Sequence, residues 1–198
     1  MKMYLFPHYK NFRNRTVHLA NIHPDHFVLD YGCGIGLLED FIVPKLSVKG
    51  KVIGVDIGRE LIELARKRQV NTQNCEFHCI DLSGQLRFES ETFDVVITSL
   101  ALHLLDRTQK EIVLKEFRRI LKTNGKLLLV EIGKPTSLFG YCIKLLTLHY
   151  WVKFWPYEIN SIDSFAGKLP EIVRSIGFKE VKIIERMRGY IDFFQCTK

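Results

Sequence analysis

Hydrophobic residues along the chain fall into two rhythms. Short runs of strand length carry continuous or alternating apolar residues: Val28-Leu29, Lys51-Val52-Ile53-Gly54-Val55, Glu76-Phe77-His78-Cys79-Ile80, Phe93-Asp94-Val95-Val96-Ile97-Thr98-Ser99 and Lys126-Leu127-Leu128-Leu129-Val130-Glu131. The unbroken Val95-Val96-Ile97 core fits a parallel strand covered on both faces. Between these runs the spacing turns helical. Leu37-Leu38-Glu39-Asp40-Phe41-Ile42 opens one helix, which Pro44 kinks or ends near Leu46. Leu61, Ile62, Leu64 and Ala65 mark a second over 60–69. Val113, Phe117, Ile120 and Leu121 mark a third, opened by a capping box at Thr108-Gln109-Lys110-Glu111 and stopped by Asn124-Gly125. Two last strands, 180–187 and 189–198, are joined so tightly around Arg188-Gly189 that they must pair antiparallel. Strands alternating with helices predict a doubly wound α/β sheet with its ligand at the strands' carboxyl ends.

The first strand runs into Asp30-Tyr31-Gly32-Cys33-Gly34-Ile35-Gly36, an acid followed by three glycines at alternate positions. Glycine so repeated costs backbone entropy and gives no packing, so something comes close to that backbone. The loop is expected to aim backbone N–H groups and a helix N-terminus at the polar end of a ligand. A dinucleotide fingerprint needs its third glycine at position 37, where this chain has Leu37, so the spacing disfavours a nicotinamide oxidoreductase. Asp56 ends the second strand 20 residues beyond Gly36, where an acid accepts hydrogen bonds from both hydroxyls of a ribose. Asp81 ends the third. Three acids, Asp30, Asp56 and Asp81, gathered at one sheet edge repel one another unless they bind donors.

The D-x-G-x-G-x-G pattern resembles the glycine motif of class I S-adenosylmethionine (SAM) dependent methyltransferases. Phe93-Asp94-Val95-Val96 and Arg118-Arg119-Ile120-Leu121-Lys122-Thr123-Asn124-Gly125-Lys126-Leu127 resemble the "FDvv … RvLKPGG.l" run of the type 11 methyltransferases, which include the ubiquinone and menaquinone C-methylases. The likeness covers roughly residues 27 to 133 and departs at Thr123-Asn124, where the family has Pro-Gly. It implies a Rossmann-like seven-stranded sheet, mostly parallel, with a final antiparallel strand inserted after Gly177-Phe178. It also implies SAM as cofactor and S-adenosyl-L-homocysteine as product. Asp30 then meets the ammonium, Asp56 the ribose, and Asp81 the adenine amine with Leu82 beside the ring, while Gly32, Cys33, Gly34, Gly36, Ile57 and Ser99 complete the cofactor set. A non-catalytic SAM-binding protein would keep the same glycines and Asp56.

At 198 residues, 46% hydrophobic and 26% charged, the chain suits one globular domain over 1–198, with a weakly helical cover at 1–26 broken at Pro24 and an insertion at 134–170. The cover either helps close the cofactor site or packs as a terminal surface helix. The start has no apolar core followed by a small-residue cleavage site, so a cytoplasmic protein is expected. Five scattered cysteines without C-x-x-C spacing argue against a disulfide framework and a metal site. The net charge of +7 admits nucleic acid, an anionic membrane surface or an acidic substrate, and the basic clusters fall on helices where a solvated face is the default. Thr98-Ser99-Leu100-Ala101 stands where base-modifying methyltransferases carry [DN]-P-P-[YF]. That disfavours a nucleic-acid substrate and raises a small or lipid-like acceptor.

Methyl transfer from a sulfonium needs mainly alignment of nucleophile, methyl and sulfur. His103 is the candidate base if the acceptor must lose a proton, against a structural role among its neighbouring leucines. Residues 138–157 hold seven aromatics, Trp151 and Trp155 among them, and read as a lid over a lipophilic, quinone-like acceptor. A helix pair extending the core, a dimer contact or a peripheral membrane contact are the alternatives. Lys144 and Lys153 interrupt the stretch too soon for a spanning helix.

Overall fold

The computed structural model describes residues 9–69, 72–81, 84–138, 140–142, 145 and 167–198. Leu82, Trp151, Trp155 and most of 138–157 lie outside the described residues. Helix α1 (Tyr9–Leu19) precedes β1 (Phe27–Tyr31), α2 (Glu39–Ile42), β2 (Lys51–Asp56), α3 (Arg59–Arg68), β3 (Cys75–Cys79), β4 (Phe93–Ser99), α4 (Arg107–Ile120) and β5 (Leu121–Ile132). Helix α5 (Leu169–Ser175), β6 (Lys179–Met187) and β7 (Ile191–Thr197) complete it.

The seven strands lie in the order β3-β2-β1-β4-β5-β7-β6. β1, β2, β3, β4 and β5 pair in parallel, and β7 is antiparallel to both β5 and β6. The inserted antiparallel strand is the one that the tight link at Arg188-Gly189 requires. Strand order reverses between β1 and β4, which opens the crevice where ligands of such sheets sit.

Both faces of the sheet are covered. On one, Leu29, Tyr31, Val96, Leu127, Leu129 and Phe194 pack against Val113, Phe117 and Ile120 of α4 and Ile172 and Val173 of α5. On the other, Val28, Val52, Ile97, Leu128 and Phe193 pack against Val17 and Ala20 from the α1 region and Leu38 and Ile42 at α2. Phe12 of α1 tilts onto Phe193 with ring centroids 5.9 Å apart. Helix α1 therefore has a packing role, and its Arg13, 7% exposed, is carried inward with it.

Several local expectations shift. Helix α2 keeps a single turn, because Val43-Pro44-Lys45 tightens at once into a 3-10 turn. The capping box sits two residues earlier than expected: Asp106 accepts the Gln109 N–H at 2.8 Å, and Gln109 Oε1 accepts the Asp106 N–H at 2.9 Å. Helix α4 stops at Ile120, short of Asn124-Gly125. Leu121 already pairs with Phe93, the register slips before Val95–Lys126, and Asn124 takes a left-handed conformation inside that irregularity. The expected basic clusters are spent on structure. Arg66 donates to Phe77 O, Arg68 to Asp40, Arg118 to Gly177 O, Arg119 to Leu86 O and Phe88 O, and Lys122 to Asp94.

Candidate active site

The glycine loop is fastened to β2. Gly32 N–H and Cys33 N–H both donate to Val55 O, at 2.8 and 3.0 Å, and Gly36 N–H closes a turn onto Cys33 O at 3.1 Å. Gly34 N–H donates to Asp56 Oδ2 at 2.9 Å. These four N–H groups point into the protein, which corrects the expectation that they would face a ligand. The glycines serve closeness instead. Gly34 has φ +58° and nothing within 4 Å of where a Cβ would stand, so it presents bare backbone to open space. Gly36 answers a different need, because a Cβ there would meet the Phe77 ring at 2.8 Å.

The charge around the loop is negative. The single turn of α2 starts with two acids, Glu39 and Asp40, so its N-terminal end offers no open place for an anion. A pyrophosphate would meet no free cradle here, whereas a cation would be welcome. Asp56, 8% exposed, spends one oxygen on Gly34 N–H and the other on Gly58 N–H at 2.8 Å. Each oxygen retains a second lone pair for a ligand hydroxyl. Ile57 beside it is 64% exposed, and Asp81 at the end of β3 is exposed. Burial, then the charges of Asp81 and Asp56, push the Tyr31 hydroxyl pKa up, which locates both acids around one buried ring. Burial and the carboxylates of Asp30, Glu39 and Asp56 push the Cys33 thiol up as well, so it is a poor nucleophile.

The ends of β4 and β5 form the other half of the site. Glu131, fully buried at the end of β5, accepts Ala101 N–H at 3.0 Å and Leu102 N–H at 2.8 Å through one oxygen. Its other oxygen lies 3.2 Å from His103 Nδ1. Leu100, at the corner after Ser99, has φ +55°, an uncommon conformation for a bulky residue, and is held by its N–H bond to Val130 O at 2.8 Å. One buried carboxylate thus fixes both the loop and the ring. With Nδ1–H donating to Glu131, the neutral imidazole carries its lone pair on Nε2. Asp192 stands opposite Glu131 in the β5–β7 register and is neutralised by the Arg186 guanidinium.

Residues 28–125 match the family model described as a methyltransferase domain. The demethylmenaquinone methyltransferase of Symbiobacterium thermophilum is 28% identical, with 90% of this chain and 78% of that protein covered. The ubiquinone/menaquinone biosynthesis C-methyltransferase of Wigglesworthia glossinidia brevipalpis is 26% identical, covering 94% and 80%. The crystal structure of a SAM-dependent methyltransferase from Aquifex aeolicus superposes with a TM-score of 0.74 at 17% identity, over 97% of this chain and 93% of that one. The chain is a SAM-dependent methyltransferase.

The residues of this methyltransferase fit that donor on their own chemistry. Gly34 leaves a gap that any side chain would fill, Asp56 offers lone pairs to a diol, and the acids behind the loop suit an ammonium. Of the residues expected from sequence, Asp30, Gly32, Cys33, Gly34, Gly36, Asp56 and Ile57 are gathered at the ends of β1 and β2, with Asp81 ending the neighbouring β3. Ser99 and His103 lie across the crevice at β4. Sequence reasoning missed two carboxylates, Glu131 and Glu39. The first carried the same signal as Asp30 and Asp56, an acid closing an apolar strand, and the second carried none.

Proposed function

We propose that this methyltransferase transfers the methyl group of SAM to a ring atom of a small lipophilic acceptor of the quinone type. The names of the two relatives above carry the acceptor class, and they align over most of both chains. SAM supplies an electrophilic methyl on a sulfonium. The chain's own residues do the rest. Asp56 holds the ribose, Gly34 lets the cofactor lie against backbone, and Asp81 with Ile57 and Leu82 frames the adenine. His103 takes a proton at Nε2 from the acceptor, with Glu131 fixing Nδ1. A reduced quinone must lose a hydroxyl proton to become a carbon nucleophile, and a positioned base contributes about 10²- to 10⁴-fold to such steps.

The test is transfer of labelled methyl from SAM to a panel holding a demethylated quinol, a simple phenol and an amine. Transfer to the quinol ring is expected, and transfer only to the other acceptors would overturn the acceptor class. His103→Gln is expected to lower turnover on the quinol by about 10²-fold or more while calorimetry finds SAM affinity unchanged. Full turnover per folded molecule would make His103 structural. The aromatic stretch at 138–157 is assigned to the acceptor's tail. Trp151→Ala and Trp155→Ala should therefore slow long-tailed quinols more than tail-less ones in the same assay, and equal losses would remove that role.

A further inference from the structure

Behind the glycine loop lies a carboxyl pair that methyl transfer itself does not use. Asp30 stands beside Gly54 in the β1–β2 register, and Gly54 beside Phe77 in the β2–β3 register, so all three positions share one face of the sheet. Gly54 leaves a hole in that row, and Glu39 fills it: a Cβ at Gly54 would come within 2.6 Å of Glu39 Oε1. Glu39 is 0% and Asp30 2% exposed. Neither Glu39 oxygen has a hydrogen-bond partner in proper geometry, and its carboxyl interacts with that of Asp30. Two carboxylates in contact, cut off from water, do not both stay ionised. Burial is the main cause that raises both, Asp30 to about 7 and Glu39 well above the usual carboxylate range.

Other charged groups face the pair from every side. Arg13 of α1 supplies a cation, itself lowered to about 10, chiefly by burial. Asp40 of α2 faces Glu39 but is held by Arg68 and Gln69 at the end of α3. Asp56 at the tip of β2 faces Asp30. The thiols of Cys33 and Cys75 lie near both carboxyls, and burial with these charges pushes them up. Carboxylates outnumber cations here. Among the described residues, Asp30, Glu39, Asp40 and Asp56 face only Arg13 and Arg68, so the cluster is short of positive charge unless a proton or a ligand brings it.

We propose that Asp30 and Glu39 share one proton that stands in for the cofactor's ammonium, so that SAM binding expels this proton to solvent and Glu39 acts through Asp30 as a positioning residue. The proposal rests on the reading of Asp30 as the ammonium's partner. The balance is simple. SAM arrives with its amino group already protonated below about pH 8, the pair passes from singly protonated to fully ionised, and no other bond changes. Without ligand the sign is also fixed. Both folded pKa values are raised, so their contribution to stability is fully present below the unfolded carboxylate range; the Asp30 share is lost as pH rises through about 7, and the Glu39 share at higher pH.

Calorimetric titration of the full chain with SAM at about pH 7.5, above the Asp30 midpoint where the pair holds one proton, in phosphate and in imidazole buffers of different ionisation heat, counts the protons released. Release approaching one proton is expected, with the dissociation constant tightening up to about tenfold per unit rise in pH above the Asp30 midpoint. In Glu39→Gln both the release and the pH slope should vanish. Equal apparent heats in the two buffers for the native chain, or undiminished release in Glu39→Gln, would overturn the proposal. Urea unfolding without SAM reads the same proton independently. Native stability should fall as pH rises to about 7, where Asp30 ionises, and go on falling above about pH 7.5 because Glu39 keeps its proton, and Glu39→Gln should remove the second fall alone. Where Glu39→Gln does not fold, Asp30→Asn breaks the pair from its other side and must remove the fall through about pH 7. A chain that binds no SAM would overturn the cofactor reading, while the unfolding series would still decide whether the proton is shared.

Discussion

Asp56→Ala should weaken SAM binding by roughly 100-fold or more while the chain still folds. Two ribose hydroxyls donating to one carboxylate are bonds to a charged acceptor, worth about 1.5 to 3 kcal/mol each, and every 1.4 kcal/mol is about tenfold in affinity. A second loss comes from the protein itself. The same carboxylate ties Gly34 N–H at 2.9 Å and Gly58 N–H at 2.8 Å, so its removal frees the loop that carries the bare backbone. The cofactor must then order what Asp56 had ordered in advance, which lowers affinity further. Both bonds are only part-buried, and Gly34 faces open space where water replaces the lost acceptor, so global stability should fall by only about 1 to 3 kcal/mol. Asp56→Asn separates the two roles, since its amide oxygen still accepts one bond while its NH2 faces a donor. Calorimetry gives the affinity and urea unfolding the stability. An unchanged dissociation constant in folded Asp56→Ala would remove the ribose assignment.

Most of the frame was legible because it rests on local pattern. Strand β4 spans Phe93–Ser99 as its Val-Val-Ile core and flanking residues predict, and the antiparallel hairpin follows from a link too short for a crossover. Boundaries moved where a local signal had a rival. Thr108 and Asp106 are both good caps, and the helix starts at the earlier one. Glu39 was illegible for a different reason. An acid in a first helical turn ordinarily sits in water against the macrodipole, and nothing nearby in sequence says otherwise. Its burial depends on Gly54 standing in register with Asp30, a fact of strand pairing across 24 residues. The direction of the loop's N–H groups was hidden likewise, because Val55 O and Asp56 Oδ2 claim them only after β1 and β2 align.

The same dependence on register makes Glu131 the position where a single change should cost most. It accepts two buried backbone N–H groups and orients His103, yet in the sequence it is one acid at the end of a leucine run. Glu131→Ala strands the N–H groups of Ala101 and Leu102 away from water. At about 1.5 to 3 kcal/mol for each bond to a charged acceptor, the loss is about 3 to 6 kcal/mol, a large share of the ~5 to 15 kcal/mol that holds a domain together. Leu100, at φ +55°, then has less to hold it in that conformation, and the β4 corner should loosen first. Glu131→Gln isolates the chemistry. Its amide oxygen still accepts from Ala101 and Leu102, so most stability returns, but its NH2 faces His103 Nδ1 and favours the tautomer with the proton on Nε2. The base is then blocked at the nitrogen that must receive the proton. Turnover of Glu131→Gln should fall about 10²- to 10⁴-fold with SAM affinity kept, and adding His103→Gln should cost almost nothing more, because both changes remove one function. Single-turnover rates of the two single variants and the double variant measure this directly. Losses that add would mean that Glu131 and His103 act separately, and the orienting role would then be wrong.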